Sequence, residues 1–239
     1  MFSAARVSSW LLVFFSALVL VARAAPLETN AQRFARGLPP LAPANLRRTG
    51  TGTDSADHSH PSAKPPVSYT GRLQARTADG TVVGFIRNWE GAASISGINF
   101  GTSDEELHVS FSTSGGYKPF DILATNPNFP APYYVGAAGT GPLAKGSYKT
   151  VAFTNVGQTP AGSKPVKSGE NSYESAIWTF NPQTKQFTAH FVNPDGSKPK
   201  TQLAYDARAN ELFFVGDLAA YNKQFDYYPA GAVNLYLVD

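Results

Sequence analysis

The sequence predicts an all-β protein: a two-layer antiparallel β-sandwich of jelly-roll type, or a flattened barrel, formed as a single domain by residues 65–239. Three observations carry this. No segment keeps a 3.6-residue apolar period over ten or more residues. Short runs with a period of two recur every ten to fifteen residues, with Gly, Pro, Asn and Asp between them. Aromatic residues make up 13% of the chain, a content that suits packing between sheets.

Ser68–Arg76 and Thr81–Arg87 flank Ala78-Asp79-Gly80 and read as a first hairpin, glycine supplying the positive φ of the turn. Residues 89–106 are rich in Gly and Ser and show no period. Leu107–Ser112 turns Leu107, Val109 and Phe111 inward and leaves His108 on the solvent face. Pro119–Ala124 is a shorter strand and NPNFPAPYY after it a loop. Ser147–Asn155 is a strand, and 157–169 reads as loop. Tyr173–Phe180 reads as one strand, with Glu174, Ala176, Trp178 and Phe180 on one face and Tyr173, Ser175, Ile177 and Thr179 on the other. Large apolar groups on both faces predict a central position in the sheet. Asn181–Lys185 turns the chain into a return strand, where Phe187, Ala189 and Phe191 oppose Thr188, His190 and Val192. Asn193-Pro194-Asp195-Gly196 is a turn, Thr201–Asp206 and Glu211–Gly216 a further pair, and Val233–Val238 the last strand.

The N-terminal quarter has a different character. Arg6 precedes the apolar run Trp10–Val21, and Ala22-Arg23-Ala24 gives a small-x-small cleavage pattern, so residues 1–24 are expected to be a signal peptide cut after Ala24. The run is shorter than the roughly 20 residues of a comfortable membrane span. Residues 25–48 are expected to be a propeptide ending at the dibasic pair Arg47-Arg48, and residues 49–64 a flexible linker rich in hydroxyl side chains. These features predict a secreted, extracellular protein that does not stay in the membrane once the signal is removed.

Charge and cysteine content exclude several classes. The net charge of +3 is misleading, because the first 48 residues hold six arginines against Glu28 and leave −2 on the remainder. No Lys/Arg stripe with interleaved aromatics occurs in the body, so nucleic acid is not an expected partner. The absence of cysteine excludes disulfides, thiol catalysis and thiolate metal sites. A body of this length buries a core without such staples.

The stretch Glu174–Ser197, together with Gly216–Phe225 (GDLAAYNKQF) and the leader RGLPPLAPANLRR, resembles uncharacterised secreted proteins of basidiomycete fungi. Their shared pattern is ESxIW, then NP or DP with a following threonine, NxDGS, and GDxAAF. The likeness runs from about Ser68 onward and departs over 88–101 and 126–140. It implies secretion and an all-β fold, and it brings no assigned activity and no catalytic residue.

Few constellations with chemistry remain. Glycoside hydrolysis needs two facing carboxylates, and Glu174 is the acid that alternation places beside Ala176, Trp178 and Phe180; it is either a buried acid with a raised pKa or a solvated strand-end residue. His108 and His190 both fall on polar strand faces, no Gly-x-Ser-x-Gly elbow occurs, and no acids cluster at ligand spacing. No metal or cofactor is expected. Saccharide recognition needs aromatic platforms beside amide and carboxylate groups. The candidates are Trp89 with Asn88 and Glu90, Tyr133 and Tyr134, and Tyr227 and Tyr228. The reading is therefore a non-catalytic, wall- or matrix-associated protein that binds polysaccharide. The alternatives are a glycan hydrolase using Glu174 with a loop acid, and a structural or host-interaction protein.

Overall fold

The structure is a computed structural model that describes residues 65–91 and 94–239, with Arg36 as the one described position before them. The expected signal peptide, propeptide and linker, with Ala24, Arg47 and Arg48, lie outside the described residues. The rest is all-β apart from a 3₁₀ turn at Ser103–Glu105 and one short helix.

In chain order the strands are β1 (Val67–Arg76), β2 (Val82–Phe85), β3 (His108–Thr113), β4 (Ile122–Ala124), β5 (Tyr134–Gly139), β6 (Thr150–Val156), β7 (Val166–Ser168), β8 (Asn171–Glu174), β9 (Trp178–Asn181), β10 (Gln186–Ala189), β11 (Gln202–Asp206), β12 (Glu211–Val215), β13 (Gly231–Ala232) and β14 (Asn234–Val238). Helix α1 spans Leu218–Gln224. The strands form one curled antiparallel sheet in the order β13-β11-β12-β6-β5-β4-β3-β1-β14-β10-β9, with β2 on β1 and the β7–β8 pair on β5. The curl is a half-barrel, consistent with the expected single-domain sandwich or flattened barrel. The final segment draws the sheet together. Its first residues pair with β11, the Val233 N–H donates to the Leu203 carbonyl, and the continuation β14 lies between β1 and β10.

The curl encloses one apolar core. Leu73, Leu107, Val109, Phe153, Trp178, Phe187, Leu212 and Phe214 belong to it, each at most 3% exposed. Trp178 sits among Phe153, Phe187 and Phe214 at ring separations of 5.9–6.2 Å. Its indole N–H donates to the Val135 carbonyl at 2.8 Å, so the one polar atom of the ring is satisfied in the core. A second cluster lies behind β11 and β12, where Ala204, Phe213, Val215 and Ala230 are covered by Leu218 and Tyr221 of α1. Both faces of this strand pair are thus buried, which explains the unbroken apolar run of ELFFV.

Several sequence expectations need correction. Tyr173–Phe180 is not one strand. β8 pairs with β5 and β7, the chain turns at Ser175–Ile177, and β9 pairs with β10. The cause is local. Ser175 donates its hydroxyl to Asp121 at 2.6 Å and its backbone N–H to the Thr159 hydroxyl at 3.0 Å, so side chains occupy groups that a ladder would use. β9 consequently stands at an end of the strand path, not at its centre. Strand β5, at the end of a Pro-rich stretch, and β7, inside an expected loop, were both unanticipated, as was α1. Asp217 caps that helix by accepting from the Ala220 N–H, and its apolar face is only Leu218 and Tyr221, too short for a periodic signal.

Candidate functional site

Glu174 ends β8 with a residue exposure of 1%. Its Oε2 accepts from the Val192 N–H at 2.8 Å. Burial pushes its pKa up to about 7, against the lowering influence of that hydrogen bond and of the Lys198 charge. The buried alternative of the two left open by the sequence is the one observed. The pockets described below do not have Glu174 in their walls.

Asn88, Trp89 and Glu90 line a shallow crevice with Glu105 and Asn128. Asn88 is 0% exposed and acts as a clamp: its amide donates to the Asn126 carbonyl at 2.6 Å and accepts from the Asn128 N–H at 2.9 Å. The amide oxygen and one N–H are thus engaged with the 126–128 loop. Trp89 is 37% exposed, with the Arg87 guanidinium 4.5 Å above its ring. Asn88→Ala is expected to lower stability by about 1–3 kcal/mol, the cost of leaving buried backbone groups unpaired. Urea denaturation checks this, and the same variant should bind any saccharide as the parent does. Tyr133 is exposed and leans on Phe129 at 6.3 Å, while Tyr134 pairs in the sheet between Leu123 and Val156. Among the described residues, no ring contact or hydrogen bond joins Tyr133 or Tyr134 to Trp89.

Tyr227 and Tyr228 have a different setting. Tyr227 is 86% exposed, and Tyr228, with the Arg208 guanidinium over its ring, donates its backbone N–H to the Phe225 carbonyl. Phe225 meets Tyr221 at 4.8 Å with the rings tilted, and Tyr148 meets Phe225 edge-on at 6.1 Å. Tyr148, Phe225, Tyr227 and Tyr228 are all exposed. Tyr148 and Phe225 pair at the C-terminal end of α1, anchored through Tyr221 on Phe213, and Tyr227 and Tyr228 follow Phe225 by two and three residues; together they are termed the aromatic ledge. Phe225 rests on the core side through Tyr221, while Tyr227 stands almost wholly in solvent. Tyr148 and Phe225 were missed in the sequence because a separation of 77 positions hides their contact.

At the other end of α1 lies a pocket of about 630 Å³. Its walls come from 143–145, 193–200 and 216–219. Two side-chain clamps hold them. The buried Asn193 accepts from the Leu143 N–H and donates to the Leu143 carbonyl, both at 2.9 Å. Asp217 accepts from the Gly146 N–H at 2.9 Å as well as from Ala220, and these amides hold its pKa below the usual carboxylate value. Gly216 passes so close to Ala144 that a Cβ would lie 2.6 Å from the Ala144 nitrogen. Lys145 and Lys200, with Lys198, stand exposed on the rim.

Other chemistry finds little support in this geometry. Among the described residues no group of three or more His, Asp or Glu is placed to hold a metal ion. The His190 ring contacts the Thr179 hydroxyl at 3.0 Å, and burial lowers its pKa. Ser175 meets Asp121 directly, and the intervening histidine of a hydrolytic triad is missing from that contact.

No family model matches the chain, and no solved structure matches it. Over 52 residues it is 56% identical to class I hydrophobin 1 of Pisolithus tinctorius. That match takes in 20% of this chain and 36% of the hydrophobin, so the chain spans about a third of the relative's length.

Proposed function

We propose that this is a secreted, non-catalytic saccharide-binding protein of a fungal wall or extracellular matrix, and that the ledge of Tyr148, Phe225, Tyr227 and Tyr228 is its platform. The observation that carries the reading is the ledge itself. Tyr148 and Phe225 are exposed and in contact, and the exposed Tyr227 and Tyr228 follow Phe225 in the chain, whereas the rings around Trp178 are buried. An exposed ring pair anchored at its base suits stacking on the C–H face of a sugar. The leading segment, with its Ala-x-Ala site, supports secretion, as does the partial likeness to a fungal hydrophobin. The resemblance to secreted basidiomycete proteins points the same way. The hydrolase alternative loses ground because Glu174 is enclosed, with its Oε2 committed to a backbone amide.

The test is a pull-down of the secreted protein on insoluble polysaccharides, with assay of released reducing sugar. Binding without release is expected. The double variant Tyr148→Ala/Tyr227→Ala should weaken retention about tenfold or more, at roughly 1 kcal/mol per exposed stacking ring, with an unchanged melting temperature. Sugar release by the wild type would instead establish the hydrolase. Undiminished retention of the double variant would move the platform elsewhere.

A further inference from the structure

Three lysines share the rim of the 630 Å³ pocket beside α1, although the chain from residue 49 onward carries a net −2. General basicity therefore does not account for them. Lys145, Lys198 and Lys200 make no ion pair within 4 Å among the described residues, whereas Arg72 pairs with Glu106 at 2.8 Å. Lys164 adds a fourth cation next to the turn, its Cε 3.0 Å from where a Gly196 Cβ would stand. The acids nearby are already engaged. Asp217 is bound by the Gly146 and Ala220 amides, and Asp195 by the Ser197 backbone and hydroxyl. Asp217 stays ionised, and the three lysines outnumber this one carboxylate in the pocket's lining, which is therefore net positive.

The pocket is also built, in the sense that its walls do not depend on the lysines. Asn193 ties 143 to 193, its amide reaches the Ser197 hydroxyl at 2.9 Å, and Gly216 is locked against Ala144. Such preorganisation spares a ligand the cost of ordering three segments. The size falls in the range of small-ligand sites, and Leu143, Pro199 and Leu218 give an apolar floor between the polar groups. An apolar floor with amide, hydroxyl and ammonium groups around it matches a sugar ring that carries an anionic substituent.

We propose that this pocket binds an anionic saccharide unit, a uronate or a sulfated sugar, and gives the protein a preference for acidic polysaccharide. The inference rests on the saccharide-binding reading and adds the charge selection to it. Tyr148 lies three residues beyond Lys145, with the pocket at the N-terminal end of α1 and the Tyr148–Phe225 contact at its C-terminal end.

The experiment measures retention of the secreted full-length protein on immobilised polygalacturonate, dextran sulfate, neutral dextran and polyglutamate at low and high salt. The parent is compared with the triple variants Lys145→Gln/Lys198→Gln/Lys200→Gln and Lys145→Arg/Lys198→Arg/Lys200→Arg. The glutamine variant should lose about tenfold on the acidic glycans, the sum of three exposed charge contacts, and the arginine variant should keep its binding. Whether polygalacturonate or dextran sulfate is the better ligand identifies the anionic group. A loss of less than twofold, or equal retention on polyglutamate, overturns the inference. Retention on neutral glycans alone overturns it and leaves the saccharide-binding reading standing. No retention on any glycan overturns both.

Discussion

Trp178→Ala lowers the stability of the domain by about 3–5 kcal/mol, the cost of emptying a large aromatic site in a packed core. The ring is 1% exposed and lies among Phe153, Phe187 and Phe214. Its loss also leaves the Val135 carbonyl without its indole partner. Trp178 is in the wall of a notch between β10, β11 and the final strand, yet so little of it is exposed that stacking a ligand on the ring has no surface to use. Urea midpoints and saccharide retention together decide the point. A variant as stable as the parent but unable to bind would transfer Trp178 from the core to the site.

Glu174→Gln has an effect whose size depends on pH. The folded pKa is about 7 against an ordinary value of 4.5. Below pH 4.5 the carboxyl is neutral in both states and costs nothing. Between pH 4.5 and 7 the unfolded chain releases its proton while the folded chain keeps it, so stability falls as pH rises. Above pH 7 the folded protein carries the full penalty of a buried carboxylate, about 3 kcal/mol from the shift. The glutamine variant removes this slope. It should be about 2–3 kcal/mol more stable than the parent at pH 8 and nearly equal at pH 4. Urea unfolding at the two pH values measures the difference. Equal stability at pH 8 would show that the folded carboxylate is well solvated.

The recurrent strands were legible because period-two alternation is set by residues next to one another. The burial of Leu107, Val109 and Phe111 against an exposed His108 follows the reading residue by residue. So does the β11–β12 hairpin, where Asn210 takes a positive φ of 48° in the turn. The break between β8 and β9 was not legible. It depends on Thr159 and Asp121, 16 and 54 positions from Ser175, and alternation alone carries no trace of them. The sites divide in the same way. Tyr227 and Tyr228 announce themselves in a Pro/Gly-flanked loop. The lysine pocket does not, because its three walls are distant in sequence and the Asn193 and Asp217 clamps bring them together. Asn88 shows the converse: its neighbour Trp89 suggested binding, and its amide proved to be a brace for the 126–128 loop.

The central claim is that saccharide meets the protein at the aromatic ledge and at the lysine pocket at the other end of α1. Backbone hydrogen exchange of the secreted protein, with and without oligogalacturonate, tests it most directly. Added ligand should slow exchange over residues 144–149, 193–200 and 216–228 and leave 88–90 and 173–181 unchanged. Slowing confined to 88–90, or to the segment around Glu174 and Trp178, would contradict the assignment.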